Sequence, residues 1–411
     1  MGNHVLIIVQ NLPVPFDRRV WLECGALRAA GFEVSVVCPK GPGDPDREVM
    51  DGVSLYKYRP YSGKVGTLGF LFEYVYSFLA TAWLTAKVWR QRRITVLQAC
   101  NPPDIFWPIA LFLRAWGTRF VFDHHDLCPE LYESRFADAP RLPYWGLRFL
   151  EWCTQRSAHR VISTNESYRS IAIERCGKDP DDVVVVRTGP DAERLRRGEA
   201  DPALRRGRRF LVAYLGVMGP QDGVDIVIRA ADTIVNTWGR QDVAFTLMGS
   251  GDCFEELVAL RDELALRDVV AFTGRAPDEL VARILSTADV GLSPDPKNPL
   301  NDVSTMNKTM EYMAFSLPVV AFALRETRVS AGDAAVYAEP NGVEGFARAL
   351  VDLLDDEGRR HAMAEVARAR VENELAWSHQ RRAYVGVYQE LAAIPPADAA
   401  SVASAASALE L

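Results

Sequence analysis

The sequence predicts an α/β protein made of two doubly wound domains, each on a parallel sheet. Three observations carry this. Short apolar runs that read as buried strands alternate with segments of helical period along the chain. A charged stretch broken by Gly and Pro, residues 192–209 with Arg205-Arg206-Gly207-Arg208-Arg209 inside it, interrupts the alternation and reads as a linker. The 411 residues suffice for two cores of ordinary size.

Composition narrows the class. Hydrophobic residues make 48% and charged residues 25%, as in soluble globular proteins. A net charge of −7 argues against nucleic acid as a partner. The seven cysteines stand apart with no C-x-x-C pair, which favours free thiols over disulfides or a zinc site. The N-terminus enters a strand at once, without a basic start or cleavage site, so no secretory signal is expected and a cytoplasmic location is.

In the first half, His4–Asn11 is a buried-strand pattern and Leu12–Arg19 a loop. Val20–Ala30 is helical, stopped by Gly31, and Glu33–Cys38 is the next strand. No G-x-G-x-x-G follows the first strand, which weighs against a dinucleotide oxidoreductase. Arg18 and Arg19 open the helix, placed for phosphate or an acidic acceptor, or as solvated charges. The Asp-Pro-Asp runs at 44–46 and 179–181 read as turns, not as metal ligands.

Residues 66–89 are the most apolar stretch. Glu73, Thr81 and Thr85 interrupt it and arginines follow, and a spanning helix would split one sheet between compartments. It reads either as a core helix or as one whose aromatic side (Phe70, Phe72, Tyr74, Tyr76, Phe78) meets a membrane surface, which leaves a peripheral position at the inner face of the membrane open.

Arg119–Asp123 is a strand running into His124-His125-Asp126. Ligands of open parallel sheets gather at carboxyl strand ends, and a histidine there can take a proton from a hydroxyl or donate to a sugar. The pair can also be read as metal ligands, but no third ligand has recognisable spacing.

The second sheet begins with Phe210–Leu215 and the loop Gly216–Gly223. Ala244–Met248 leads to Gly249-Ser250-Gly251, and Val269–Thr273 to Gly274-Arg275. The stretch Asp302–Phe322 organises the rest. Met306, Met310, Met313 and Ala314 form an apolar helical stripe, while Ser304, Lys308 and Glu311 share the other face. Ser304 or Thr305 is expected as N-cap. Pro318 ends the helix before the strand Val319–Phe322. Bare N–H groups and Lys308 suit phosphate, and Glu311 can accept from two ribose hydroxyls.

Lys308-x-x-Glu311-Tyr312-Met313-Ala314-x-x-x-Pro318-Val319-Val320 resembles the donor-site helix of the retaining GT-B enzymes of glycosyltransferase family 4. Asp123-x-His125-Asp126 resembles that family's strand-end motif and selects His125 over His124. The resemblance implies a GT-B fold: two facing Rossmann-like domains, with the donor between them. Its parts would be residues 1–191 (acceptor domain), 192–209 (linker), 210–375 (donor domain), 376–392 (a helix crossing back) and 393–411 (a disordered tail). It implies transfer of a sugar from a nucleoside-diphosphate sugar to a saccharide or lipid-linked acceptor hydroxyl, with retention, without metal or other cofactor, in bacterial polysaccharide or glycoconjugate assembly. His125 and Glu311 would carry the central roles. Lys308, Ser304, Thr305, Gly216, Gly249, Gly251, Gly274, Arg275 and Asp302 would bind donor, and Arg18 and Asp126 would lie on the acceptor side. In the second half, four places depart from the family pattern. Val217 and Asp222 stand where an Arg and a Lys usually clamp the diphosphate, Val303 where a second Glu usually stands with Asp302 beside it, and Ser316 where Gly is usual. The first three motivate a rival, a nucleotide-sugar-binding scaffold without turnover; a second rival is a sugar-nucleotide epimerase of the same architecture.

Overall fold

The computed structural model describes residues 3–61, 67–136 and 140–392; in the helix from Thr67 the side chains of Thr67, Leu68, Phe70 and Leu71 are outside the description. The expected tail, 393–411, therefore lies outside the described residues.

The chain forms two compact units, one of Met1–Tyr132, Asp138–Arg187 and Gln380–Leu411, the other of Thr188–His379 with Glu133–Ala137. The first holds β1 (His4–Ile8), β2 (Glu33–Pro39), β3 (Arg47–Met50), β4 (Val53–Tyr58), β5 (Val96–Cys100), β6 (Arg119–His124), β7 (Arg160–Ser163) and β8 (Val183–Val185). They lie in the order β3-β4-β2-β1-β5-β6-β7-β8, all parallel except β3 against β4. β1, flanked by β2 and β5, is buried at every residue, which is why it reads as an unbroken apolar run. The following helix, Arg18–Ala29, starts where the Asp17 carboxylate accepts the Val20 N–H at 3.1 Å, and the chain leaves it through Gly31 at φ +88°.

The β3–β4 hairpin was not foreseen. Its turn is Asp51-Gly52, both at positive φ (49° and 76°), and Asp-Gly between strands is itself a hairpin signal. Both Asp-Pro-Asp runs lie in turns. Asp44 accepts the Gly41 N–H at 2.9 Å, and Asp179 accepts that of Asp181 at 3.0 Å.

The apolar stretch folds as one helix, Thr67–Gln91, and no helix among the described residues is long and apolar enough to cross a membrane. Its outward side differs from the expected aromatic side. An alternation of two is a strand period and scatters around a helix. Phe72, Tyr76, Leu79 and Trp83 are exposed, while Phe78 packs on the core with Leu84 and Val88. Phe70 falls outside the described side chains.

The second unit holds β9 (Phe210–Leu215), β10 (Val243–Met248), β11 (Val270–Gly274), β12 (Val290–Ser293), β13 (Val319–Phe322) and β14 (Ala335–Ala338). They lie in the order β11-β10-β9-β12-β13-β14, all parallel. Residues 192–209 are not a free linker. Arg205 pairs with Asp289 at 2.6 Å, Arg197 donates to the Ser286 and Ala288 carbonyls, and Arg206 to those of Phe245 and Val269. Their charge is spent on strand and helix ends of the second unit, and the division between units falls earlier, after Arg187.

The last described helix is Trp377–Ala392. From Gln380 on it belongs to the first unit, where the Tyr384 and Tyr388 hydroxyls both donate to Gln98 Oε1.

Candidate functional site

In the second unit the three neighbouring strands β9, β10 and β11 run out into glycine. Gly216 donates to the Met248 carbonyl at 3.0 Å and Gly249 to the Gly274 carbonyl at 2.9 Å. A Cβ on Gly249 would stand 1.8 Å from the Gly216 carbonyl oxygen, and one on Gly251 2.7 Å from the Met218 backbone. These glycines let the strand-end loops close on one another, a role apart from any ligand. Gly274 turns the chain at φ +63°, and Arg275 beyond it is exposed.

The helix Asn307–Ala314 abuts this end of the sheet. Its N-cap is Met306, without a side-chain cap, not Ser304 or Thr305. A 3-10 turn, Asn301–Val303, precedes it, so the chain is extended at Ser304, whose hydroxyl donates to the Leu300 carbonyl at 2.7 Å. Asp302 accepts the Arg325 N–H at 3.0 Å and lies 3.5 Å from Lys297, so its carboxylate already serves the next helix. Ser316 takes φ +55° where the helix ends, the left-handed conformation that Gly adopts most easily.

Lys308 rises from the first turn of that helix. Its Nζ lies 2.6 Å from Asp295 Oδ1, 3.5 Å from Asp222 Oδ1 and 5.0 Å from the Tyr214 ring centre. Asp295 is buried and accepts from the Ser293 hydroxyl at 2.7 Å, which in turn accepts from Thr309 at 3.1 Å. Burial alone would lower the Lys308 ammonium, but Asp295, Tyr214 and Asp222 outweigh it and hold the ammonium well above its usual range. Burial pushes the Asp222 carboxyl up, against the pull of Lys308. The residue replacing the family's basic clamp is thus a second acid on the same lysine. Val217, at the other departure, is exposed.

Glu311, three residues on and half-buried, shares the helix side of Lys308. Tyr312 beside it is structural. Its hydroxyl accepts from Leu215 N–H at 2.7 Å and donates to the Leu292 carbonyl at 3.0 Å, tying β9 to β12.

In the first unit the strand-end histidines part company. His124 is buried, 5.3 Å from the Phe122 ring and 3.2 Å from Gln155, and burial pushes it down to about 3. His125 sits at the end of β6, its side chain 16% exposed, and its Nε2 lies 2.6 Å from Asp123 Oδ2. Asp123, two residues before it, is the carboxylate hydrogen-bonded to this ring. The Asp126 backbone and that of His125 are held by the Asn101 side chain.

Asp123 is fully buried. Arg19 reaches it at 2.8 Å and Glu23 at 3.0 Å, and Gln98 donates to both acids. Burial would raise Asp123, but Arg19 and His125 hold it well below the carboxylate range, while burial and Asp123 push Glu23 well above it. One guanidinium thus serves one ionised and one protonated acid. Of the two helix-start arginines, Arg18 is exposed and Arg19 is committed here. Cys100, Asp123 and His125 bring ligand-type atoms within 4.8 Å of one another. The Arg19 cation on the same carboxylate disfavours a metal ion at that place. Sequence reasoning missed Arg19–Asp123 and Asp295–Lys308. The i,i+4 spacing of Arg19 and Glu23 was the one local signal.

Two strand-and-helix units of this kind define a GT-B glycosyltransferase fold. The model for Glycosyltransferase Family 4 matches residues 17–194, and that for Glycosyl transferases group 1 matches 209–356. The chain belongs to glycosyltransferase family 4. The D-inositol 3-phosphate glycosyltransferase of Thermomonospora curvata is 29% identical over 64% of this chain and 64% of its own length. That of Corynebacterium aurimucosum is 31% identical over 50% and 51%. The chain thus spans about half to two thirds of the length of these curated relatives. Among solved structures, sucrose-phosphate synthase from Thermosynechococcus elongatus superposes with TM-score 0.79 at 17% identity, covering 96% of this chain and 100% of that one. Anabaena Alr3699/HepE in complex with UDP and glucose superposes with TM-score 0.70 at 14%, covering 96% and 100%.

Proposed function

We propose that this protein transfers a sugar from a nucleoside-diphosphate sugar to an acceptor hydroxyl with retention of configuration, in the assembly of a bacterial polysaccharide or other glycoconjugate. The observation that carries the reading is the setting of Lys308: a largely buried, charged ammonium at the carboxyl ends of a parallel sheet, in the first turn of a helix that also bears Glu311. That is where an open sheet binds nucleotides. Lys308 and N–H groups of the helix start meet the diphosphate, and Glu311 accepts from the ribose. The Gly274-Arg275 turn lies along the base.

On the first unit, His125 hydrogen-bonds the transferring sugar through the ring nitrogen that does not face Asp123. Asp123 fixes the ring and is itself held ionised by Arg19. The acceptor, a saccharide or one carried on lipid, is taken from the cytoplasmic side of a membrane surface, with Arg18 and Asp126 on its side of the reaction. Charge on the leaving diphosphate is met by Lys308 and backbone dipoles, without metal. Both family models and the named relatives are transferases, which favours transfer over a non-catalytic scaffold or an epimerase.

A panel of nucleoside-diphosphate sugars, read by thermal shift and then by product analysis, tests this. A donor at a hundred times its Kd adds about 2.7 kcal/mol of stability. No shift with any donor sinks the reading, and conversion of the donor without acceptor would make the protein an epimerase.

A further inference from the structure

Large apolar side chains crowd one layer of the first unit. Among the described residues, twelve of the nineteen exposed large hydrophobics lie on or beside three helices: Thr67–Gln91, Trp107–Arg114 and Arg141–Ser157. The first shows Phe72, Tyr76, Leu79 and Trp83, spaced four, three and four. The third shows Leu142, Trp145, Phe149 and Trp152, spaced three, four and three. Each set is one helical side turned to solvent. The exposures are large: 65% for Trp83, 60% for Phe149 and 82% for Leu142. The helices are neighbours. Trp89 of the first stacks edge-on to Phe112 at 6.3 Å and to Trp116 at 5.2 Å, and Thr154 of the third donates to the Asp104 carbonyl just before the second. Monomeric soluble proteins rarely leave so much contiguous apolar surface bare.

Charge says what covers it. The three helices carry six Lys and Arg (Lys87, Arg90, Arg114, Arg141, Arg148, Arg156) against Glu73 and Glu151, in a chain whose net charge is −7. Both acids are engaged within the protein: Glu73 accepts from Gln10 at 2.9 Å, and Glu151 is buried against Arg175, with the Arg148 guanidinium 3.8 Å away. The cations stand at the aromatics. Lys87 Nζ is 5.5 Å from the Trp83 ring, and Arg148 lies over Tyr144 and Trp145 at 5.8 and 5.9 Å. Tryptophan, tyrosine and phenylalanine rimmed by lysine and arginine fit the interface of an anionic bilayer, rings at head-group depth and cations on the phosphates.

We infer that this three-helix face docks the protein on an anionic lipid surface. It deepens the reading of a membrane-borne acceptor, and its test uses neither sugar nor acceptor, so the two stand or fall separately. Flotation of the full chain is measured with phosphatidylglycerol–phosphatidylcholine vesicles and with pure phosphatidylcholine. The protein floats with the anionic vesicles, and partition drops with added salt. Trp145→Ser with Phe149→Ser, and separately Leu79→Ser with Trp83→Ser, weaken partition about tenfold or more. Arg141→Glu with Arg148→Glu removes most of the salt-sensitive part. Thermal midpoints of these variants report whether the fold is kept. Quenching of the unaltered protein's tryptophans by brominated lipid gives a readout free of mutation. The proposal is overturned if the unaltered protein neither floats nor is quenched, or if folded variants float as well as the parent. It is equally overturned if the apolar variants only turn an oligomer into a monomer, which would give the face to a second copy of the chain.

Discussion

Asp222 Oδ1 lies 3.5 Å from Lys308 Nζ, so the ammonium proposed to meet the donor's diphosphate already faces an acid. A diphosphate brought to this place competes with Asp222 for one cation. The carboxyl, pushed up by burial, relieves the competition when it takes a proton.

Donor affinity should therefore fall as pH rises through the raised Asp222 pKa, because binding an anion there favours proton uptake. Asp222→Asn should tighten donor binding roughly tenfold at neutral pH, about 1.4 kcal/mol, and flatten that pH dependence. Titration calorimetry with the best donor at several pH values measures both. Weaker binding by the variant would mean that Asp222 positions Lys308 instead of competing for it.

Glu311→Ala should lower donor affinity about tenfold or more while the fold survives, since each charge-assisted bond to ribose contributes roughly 1.5–3 kcal/mol. A 2′,3′-dideoxy donor should be nearly indifferent to the change. Equal losses with both donors would take Glu311 off the ribose.

His125→Ala should lower kcat by roughly 10²–10⁴ with little change in donor affinity. His124→Ala should act on stability instead, because that ring is buried between Phe122 and Tyr168, and should leave kcat of the folded fraction nearly unchanged. Asp123→Asn tests the orienting role and should reduce kcat without loss of donor binding. A reversed rank of the two histidines would move the site one residue along the strand end.

Asp104 offers a prediction about stability. It is buried, and among the described residues neither carboxylate oxygen has a well-formed hydrogen bond, though Cys128 and Asn101 lie close by. Burial, with Glu151 nearby, pushes it up to about 7 from 3.8, against a weaker pull from Cys128 and Asn101. Between those values the native state keeps a proton that the unfolded chain has lost, so stability falls as pH rises through this window. The cost, on the order of a few kcal/mol, is fully present above it. Asp104→Asn should flatten urea midpoints measured from about pH 5 to about pH 8 and stabilise the protein at the upper end. Parallel curves for parent and variant would place the ionisation elsewhere.

What could be read from the sequence was what local pattern encodes. β9 and β13 fall where their apolar runs predict, and the Met310–Met313–Ala314 stripe is buried as its spacing requires. His125 was separable from His124 by motif, and burial shows why one ring is free to act. The rest depends on contacts between distant segments. Asp295 stands thirteen residues before Lys308, and Asp123 more than a hundred after Arg19, so no periodicity joins them. The Asp51-Gly52 hairpin signal was local and went unread. Asp222 looked like a missing cation, and only the fold shows it facing the remaining one.

The bond from Tyr384 and Tyr388 to Gln98 has a bearing on how the chain is made. Synthesis proceeds from the N-terminus at about 5–20 residues per second. The second unit's main run, Thr188–His379, is continuous and emerges whole before Tyr384 does. The first unit, begun earlier, has the buried Gln98 carbonyl oxygen without those two donors until the final helix arrives, and Phe32 without the Tyr388 ring that meets it edge-on at 6.2 Å. A ribosome stalled just before Tyr384 emerges therefore carries one finished half and one that is open at its polar centre. A chain cut short before Tyr384 lacks both hydrogen bonds permanently, at roughly 0.5–1.5 kcal/mol for each.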